Sequence, residues 1–378
     1  MLLLGAAGAW FWWHWRKPAI PAPQAAPGKL ASSRQPSPSV VSNLTSQPVV
    51  VVVPSNPPPE VISGATPGVG VNAPSAQVSV RTPAAVAPRG DGFPRPPRDV
   101  LEAQIALARQ GISSGSLDGV LGSQTRAALR VFQRREGLPE TGLLDADTRA
   151  ALRIESPPLV SCAITAGDLA RLQPLSPTWL GKSQQSALDY ETILELVAEQ
   201  SQASPNLIRR LNPGVDWANV APGLEVTVPA VAGPEVVAKA AFAVITLEAK
   251  TLQAFDSESN LVAHFPCSIA ARVEKRPLGE LRVVAIAENP NYTFNPEVFP
   301  ESPEARELGR KLILPPGPNN PVGVAWVSLN RPGYGIHGTP SPEQVGRTES
   351  HGCFRLANWN AKHFLKLAWV GMPVYVEP

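Results

Sequence analysis

The sequence predicts a multidomain chain: a disordered Pro-rich linker, a small all-α three-helix module, a small α+β module, and a mainly-β C-terminal domain of sandwich or barrel type. Three observations predict it. The chain has 43 prolines in 378 residues, crowded toward the N-terminus. The stretch that follows has apolar residues at helical spacing between glycine turns, and the last third is a series of short apolar runs bounded by Asp, Ser, Gly and Pro. The length itself fits two or three domains at ~150 residues each.

The first 13 residues, MLLLGAAGAWFWW, carry no charge, and Arg16 and Lys17 follow at once. That run is shorter than the ~20 residues a bilayer-spanning helix needs, and no basic stretch precedes it. Three readings stand open: an export signal or anchor that starts further upstream, a Trp-rich interfacial segment, or a buried helix. Four tryptophans beside two basic residues fit a membrane-interface belt, so residues 1–17 are read as a membrane anchor or export signal. Residues 18–97 hold 18 prolines, one aromatic and seven charges. They cannot bury enough apolar area to offset their ordering entropy and are read as a disordered linker biased toward polyproline II. A net charge of +2, from 33 basic and 31 acidic residues, gives no basic face, which excludes nucleic acid as a partner.

Residues 98–156 carry three helical patches, around Leu101 and Ile105, around Leu129 and Phe132, and around Leu144 and Leu152, with Thr125 and Thr148 standing where helices would begin. The order Asp118-Gly119, Gly122, Thr125, Ala128, Phe132-Gln133, Gly137-Leu138, Gly142, Thr148, Leu152 resembles the three-helix peptidoglycan-binding module of bacterial wall enzymes. That resemblance implies adhesion to the wall. Over residues 186–230, Thr192 to Ala198 is helical in period, Ser204-Pro205 opens a second helix, Leu211-Asn212-Pro213-Gly214 ends it, and Val226 to Pro229 reads as a strand. This segment resembles a LysM domain, a strand-helix-helix-strand module that implies binding to glycan chains. Its opening departs from that family, with Asp189-Tyr190-Glu191 in place of Gly-Asp-Thr.

The C-terminal unit, residues 240–378, has strand-like runs at Phe242–Leu247, Leu252–Phe255, Leu261–Ile269, Leu281–Ile286 and Val374–Val376, and a helical stretch at Trp359–Leu367. Its chemistry is concentrated in HGTPSPEQVGRTESHGC, His337 to Cys353. A free thiol with pKa ~8.5 is mostly protonated at neutral pH. It needs a base, and the base needs a third group to hold its tautomer. His337 is far enough from Cys353 for a loop to return one strand end to another. His351, two residues away, points past the thiol, so His337 is the candidate base and His351 a supporting residue. Gly352 frees the backbone so that consecutive N–H groups can converge on an oxyanion, and Arg355 could hold a substrate carboxylate or pin the loop. A zinc site would need more well-spaced ligands than His-x-Cys supplies. Cys162 and Cys267 read as small buried apolar residues, and whether they pair with each other is left open. His14, His264 and His363 receive no role.

His337-Gly338-Thr339, ten residues, then Ser350-His351-Gly352-Cys353-Phe354-Arg355-Leu356 resembles the L,D-transpeptidase catalytic domain, of the YkuD and ErfK-like kind. Arg276-Pro277-Leu278-Gly279-Glu280-Leu281 and the Leu314–Pro321 loop match further landmarks. Asn360 stands where the family often has Asp, and Leu278 where it usually has Thr. The resemblance implies thiol acyl transfer. Cys353 attacks the carbonyl between the third residue of a tetrapeptide stem and D-Ala, His337 acts as base, the Gly338 carbonyl orients its ring, and amides near Gly352 and Cys353 hold the oxyanion. Ser350, His351, Thr339 and Arg355 support the site. The implied partners are stem peptides, glycan chains and an amine acceptor, which could belong to an envelope protein. The implied location is the periplasm or cell envelope, and no metal or organic cofactor is required.

Overall fold

The computed structural model describes residues 92–298, 302–348 and 352–378. The 1–17 segment and most of the 18–97 linker lie outside these residues. The linker's last residues do not behave as a spacer: the Arg95 backbone pairs with Ile154, its guanidinium meets Glu102, and Phe93 packs on the first helical core. Composition hid this, because a single aromatic and one paired cation suffice to fold a Pro-rich end back onto a neighbour. Among the described residues no helix is long and apolar enough to cross a membrane.

The first module has three helices, α1 (Val100–Arg109), α2 (Ser123–Arg135) and α3 (Ala146–Ala151). Asp99 and Asp145 cap α1 and α3 by accepting the N–H of Glu102 and Thr148. Thr125 and Thr148 are therefore not caps but first-turn residues, and their hydroxyls accept hydrogen bonds from buried glutamines. Gln104 Nε2 lies 2.9 Å from Thr125 Oγ1 while its Oε1 takes the N–H of Gly119 at 2.9 Å. Gln133 repeats the arrangement with Thr148 at 2.7 Å and Gly142 at 2.8 Å. Each glutamine stitches a glycine turn to the helix that follows it, and its buried side-chain amide is paired at both its oxygen and its nitrogen.

The second module begins earlier than the 186–230 boundary. Its two-stranded antiparallel sheet joins β1 (Leu159–Ala163) to β2 (Glu225–Pro229), with α4 (Ala166–Ala170), α5 (Trp179–Gln184), α6 (Ile193–Gln200) and α7 (Pro205–Leu211) between them. The Pro157-Pro158 step before β1 reads as linker in sequence, and α4 and α5 are too short for a clear period. Thr192 and Ser204 cap α6 and α7, whose Ile193, Leu196, Val197, Leu207 and Ile208 form the core with Val226 and Val228.

The C-terminal unit contains β3 (Phe242–Thr246), β4 (Thr251–Phe255), β5 (Leu261–Pro266), β6 (Gly279–Glu288), β7 (Tyr292–Phe294), α8 (Pro303–Leu308), β8 (Leu312–Leu314), β9 (Ala325–Leu329), β10 (Gly335–His337), β11 (Phe354–Arg355), α9 (Asn358–Leu367) and β12 (Pro373–Glu377). Eight strands form one sheet in the order β11-β10-β9-β6-β12-β3-β4-β5, and β7 pairs with β8 as a separate two-stranded sheet. Ser268, just past β5, bridges Arg355 of β11 through two backbone hydrogen bonds of 2.9 and 3.0 Å. The two edge strands thus meet and the sheet curls closed, in line with the barrel-like expectation. Phe364 and Leu367 of α9 share the core with Ile245, Phe265, Val327, Ile336, Phe354 and Val374.

The helical modules pack on this sheet. His264 of β5 exchanges backbone hydrogen bonds with Gly111 and Ser113, and Leu117 bridges Ala203. Leu188 and the 315–320 loop do the same: Leu188 N–H donates to the Pro316 carbonyl and Asn319 N–H to the Leu188 carbonyl, both at 2.9 Å. Gly317, with φ +147°, lies in this contact, where any Cβ would run into the Leu188 carbonyl. Gly317→Ala is expected to destabilise the chain by about 2–3 kcal/mol, read as a lowered melting temperature. Gly137→Ala, at φ +70° but in open space, is expected to lose only ~1 kcal/mol.

Candidate active site

β10 ends on His337 and runs parallel to β11, with Ile336 opposite Phe354 and His337 opposite Arg355. Parallel strands cannot be joined by a tight hairpin and need a crossover of a dozen or more residues. The 16 residues 338–353 are that crossover. Ile336 and Phe354 enter the core, so the alternation of a strand turns His337 and Arg355 to the opposite face, and Cys353 immediately precedes β11.

His337 is buried, its ring stacked on Trp326 at 5.4 Å between centroids. Its Nδ1 lies 2.6 Å from the Gly338 carbonyl oxygen. A carbonyl only accepts, so Nδ1 carries the hydrogen and Nε2 is left as the proton acceptor. Burial pushes the imidazole down to about 4; the Gly338 hydrogen bond opposes this and the charge of Arg355 adds to it. The ring is therefore neutral at pH 7.

Cys353 is partly buried, with Sγ 3.4 Å from the Gly333 carbonyl oxygen. Burial pushes the thiol up to about 11, against the Gly335 backbone and Arg355, which favour thiolate. The resting pair is thus a neutral thiol and a neutral imidazole. A cleft of about 110 Å³ lined by Ser268, Thr339, Ser341, Gln344 and Arg355 adjoins it. A larger one, about 800 Å³, involves Ser113, Phe265, Trp359 and Lys366 and contains neither His337 nor Cys353.

Gly338 and Thr339 are held by Asn358, the first residue of α9. Its Oδ1 accepts the Thr339 N–H at 3.0 Å and the Val324 N–H at 3.4 Å. A Cβ on Gly338 would strike that oxygen, so the glycine is needed for close approach. Gly352 lies beside Tyr334, whose ring is 4.0 Å from where a Cβ would stand. Ser350 and His351 lie outside the described residues.

Sequence reasoning missed three neighbours. Asn358 follows the recognised motif by two residues, and its polar position at a helix start was the available signal. Trp326 lies in an apolar run like any core aromatic. Tyr292 of β7 is pushed up to about 12, first by burial and then by the charge of Cys353, and nothing in its local sequence marks it. Asn360 turns away from the site and donates to Ser113 Oγ at 3.0 Å, while Leu278 is exposed. All three cysteines are free. Cys267 is buried, but Cys162 is exposed, correcting its reading as a buried apolar residue: β1 is an edge strand covered on one side only.

Residues 240–376 match the YkuD family, the L,D-transpeptidase catalytic domain, and residues 97–152 match the PG_binding_1 family, a peptidoglycan binding domain. The YkuD protein of Bacillus licheniformis, named as an L,D-transpeptidase, is 24% identical over 185 residues, 49% of this chain and 93% of its own length. The Escherichia coli K12 protein YbiS, named a probable L,D-transpeptidase, is 28% identical over 185 residues, covering 48% of this chain and 58% of its own. A solved L,D-transpeptidase from Xylanimonas cellulosilytica aligns at 15% identity and TM-score 0.31, over 76% of this chain and 100% of that one.

A neutral resting pair has a kinetic signature. Alkylation by iodoacetamide depends on thiolate, so the modification rate of Cys353 is expected to keep rising above pH 9 as the thiol approaches its pKa of about 11. A rate that levels off near neutrality would instead report a preformed ion pair.

Proposed function

We infer that this chain, which carries a YkuD-type L,D-transpeptidase catalytic domain and a peptidoglycan binding domain, is an L,D-transpeptidase acting on peptidoglycan. The observation that supports the residue roles is the parallel β10–β11 pair, with His337 neutral and its Nδ1 engaged by Gly338.

In this reading the Cys353 thiol gives its proton to His337 Nε2 as sulfur attacks the carbonyl carbon between stem residue three and D-Ala. Backbone N–H groups near Gly352 and Cys353 receive the oxyanion. The tetrahedral species collapses, the C–N bond breaks, and the imidazolium protonates the departing D-Ala amine. An amine then attacks the thioester, His337 takes its proton, and the thiol is restored when sulfur leaves. Activation comes from the neighbouring base rather than from a depressed thiol pKa. Arg355 lowers the cost of negative charge on sulfur and lines the adjoining cleft, where it could receive a stem carboxylate.

The peptidoglycan binding domain supports action at the cell wall. Residues 1–17 would tether the enzyme at the membrane and residues 18–97 extend its reach. The module around β1 and β2 would add a glycan contact of LysM type, and a protein amine could serve as acceptor in place of a stem. Water as acceptor would make the same site an L,D-carboxypeptidase.

Incubation with tetrapeptide muropeptides, followed by mass spectrometry, is expected to yield crosslinked dimers and free D-Ala. Free tripeptide alone would assign the carboxypeptidase reaction. Cys353→Ala is expected to lower product formation at least ~10³-fold while the protein still pellets with peptidoglycan; persistence of product would refute the nucleophile assignment.

A further inference from the structure

The amide that holds the His337 loop is itself held from outside the catalytic domain. Asn358 Nδ2 donates to both carboxyl oxygens of Glu199, at 3.2 and 3.1 Å, and to the Pro318 carbonyl at 3.0 Å. Glu199 lies on α6, in the module that precedes the catalytic domain. The orientation of Asn358 is fixed by its partners: the N–H groups of Thr339 and Val324 require its oxygen on one side, and the carboxyl and carbonyl oxygens require its NH₂ on the other. A hydrogen-bonded series therefore runs from Glu199 through Asn358 to Thr339. Gly338, packed against the same amide oxygen, supplies the carbonyl that sets the tautomer of His337.

We propose that Glu199 is a positioning residue for His337, acting through Asn358, so that the base is aligned only when the α6 module is docked and the Glu199 carboxylate accepts from the Asn358 NH₂. The chemistry of the carboxyl explains the dependence. An ionised carboxylate accepts on both oxygens, whereas a protonated one turns one oxygen into a donor facing the Asn358 NH₂. Burial pushes Glu199 up to about 7, opposed by the hydrogen bonds from Asn358 and Tyr190 and reinforced by the carboxylates of Glu195 and Glu343. These are the charged groups that act on it. Tyr190 Oη lies 3.2 Å from Glu199 Oε1, Glu195 is engaged by Asn319, and Glu343 lies in the crossover between β10 and β11. The alignment is thus completed as pH rises through about 7. The stability term has the opposite sign. The folded carboxyl keeps its proton to about 7 while the unfolded one loses it near 4.5, so this group's contribution to stability declines as pH rises across that window.

The inference rests on the transpeptidase reading for its turnover readout but not for its spectroscopic one. In the full-length protein without substrate, the His337 Nδ1–H resonance is expected to shift with a midpoint near pH 7, and the shift is expected to vanish in Glu199→Gln. Tyr190→Phe removes a hydrogen bond to the carboxylate and is expected to move that midpoint upward, which gives a second, milder variant. With tetrapeptide muropeptide, Glu199→Gln is expected to lose the step in kcat near pH 7 and to run about 10-fold slower at pH 8, with KM unchanged. An unchanged pH profile of the His337 Nδ1–H resonance in both variants, or a change confined to KM, overturns the proposal. If wild type shows no turnover while the resonance behaves as stated, the activity reading fails and the relay stands.

Discussion

The parallel pairing of β10 with β11 is the constraint on which the site depends. Parallel neighbours must be connected by a long crossover, so His337 at the end of one strand and Cys353 at the mouth of the next, the proposed base and nucleophile, are separated in sequence and carried by neighbouring strands. β11 is only two residues long, Phe354–Arg355, and could not hold its place alone. It is flanked by β10 on one side and by the Ser268 bridge on the other, so closing the sheet and positioning the thiol are one event. The crossover is tied near its middle as well. Gly346 N–H donates to Ser268 Oγ at 2.8 Å, and Gln124 of α2 donates to the Val345 carbonyl at 2.6 Å.

That arrangement explains why glycines gather here for reasons of space rather than of torsion. Gly338 gives way to the Asn358 amide and Gly335 to the Trp326 ring. Neither position has a positive φ. Gly323 meets both demands, with φ +62° and Asn358 Oδ1 where a Cβ would go. Three backbone segments approach one buried amide, which holds Val324 before β9, Thr339 after β10 and Pro318 in the 315–320 loop. A buried polar network of this kind rigidifies only if it is fully satisfied, and Asn358 has partners on both its oxygen and its nitrogen.

How much of this could be read from the sequence follows from element length. α1, α2, α6 and α7 announce themselves through apolar periodicity or capping residues, β3 to β6 through apolar runs of four or more residues, and β12 through Val374-Tyr375-Val376 near the end of the chain. β7, β8, β10 and β11 have two or three residues, too few for an alternation to register. The position of β10 and β11 was legible only indirectly, through the spacing of His337 and Cys353. Closure at Ser268 and Arg355 involves backbone atoms alone and leaves no side-chain signature. Glu199 illustrates the remaining blind spot. On α6 it reads as one of several solvated acids, and its burial is created by a loop more than a hundred positions away.

The neutral state of the pair links the site to its surroundings. A thiol held near 11 and an imidazole held near 4 do not exchange a proton at rest, so the thiolate forms only as a substrate carbonyl takes up the charge. Susceptibility to oxidation follows thiolate character and exposure, and a partly buried, protonated Cys353 is protected on both counts. The same burial that protects the sulfur makes its activation depend on geometry: with no resident thiolate, the reaction waits on Nε2 being aimed correctly. The aim is set by Gly338, Gly338 is set by Asn358, and Asn358 is gripped by a module outside the catalytic domain. Protection of the thiol and its proposed control by the neighbouring module are therefore two consequences of one choice, to keep Cys353 uncharged.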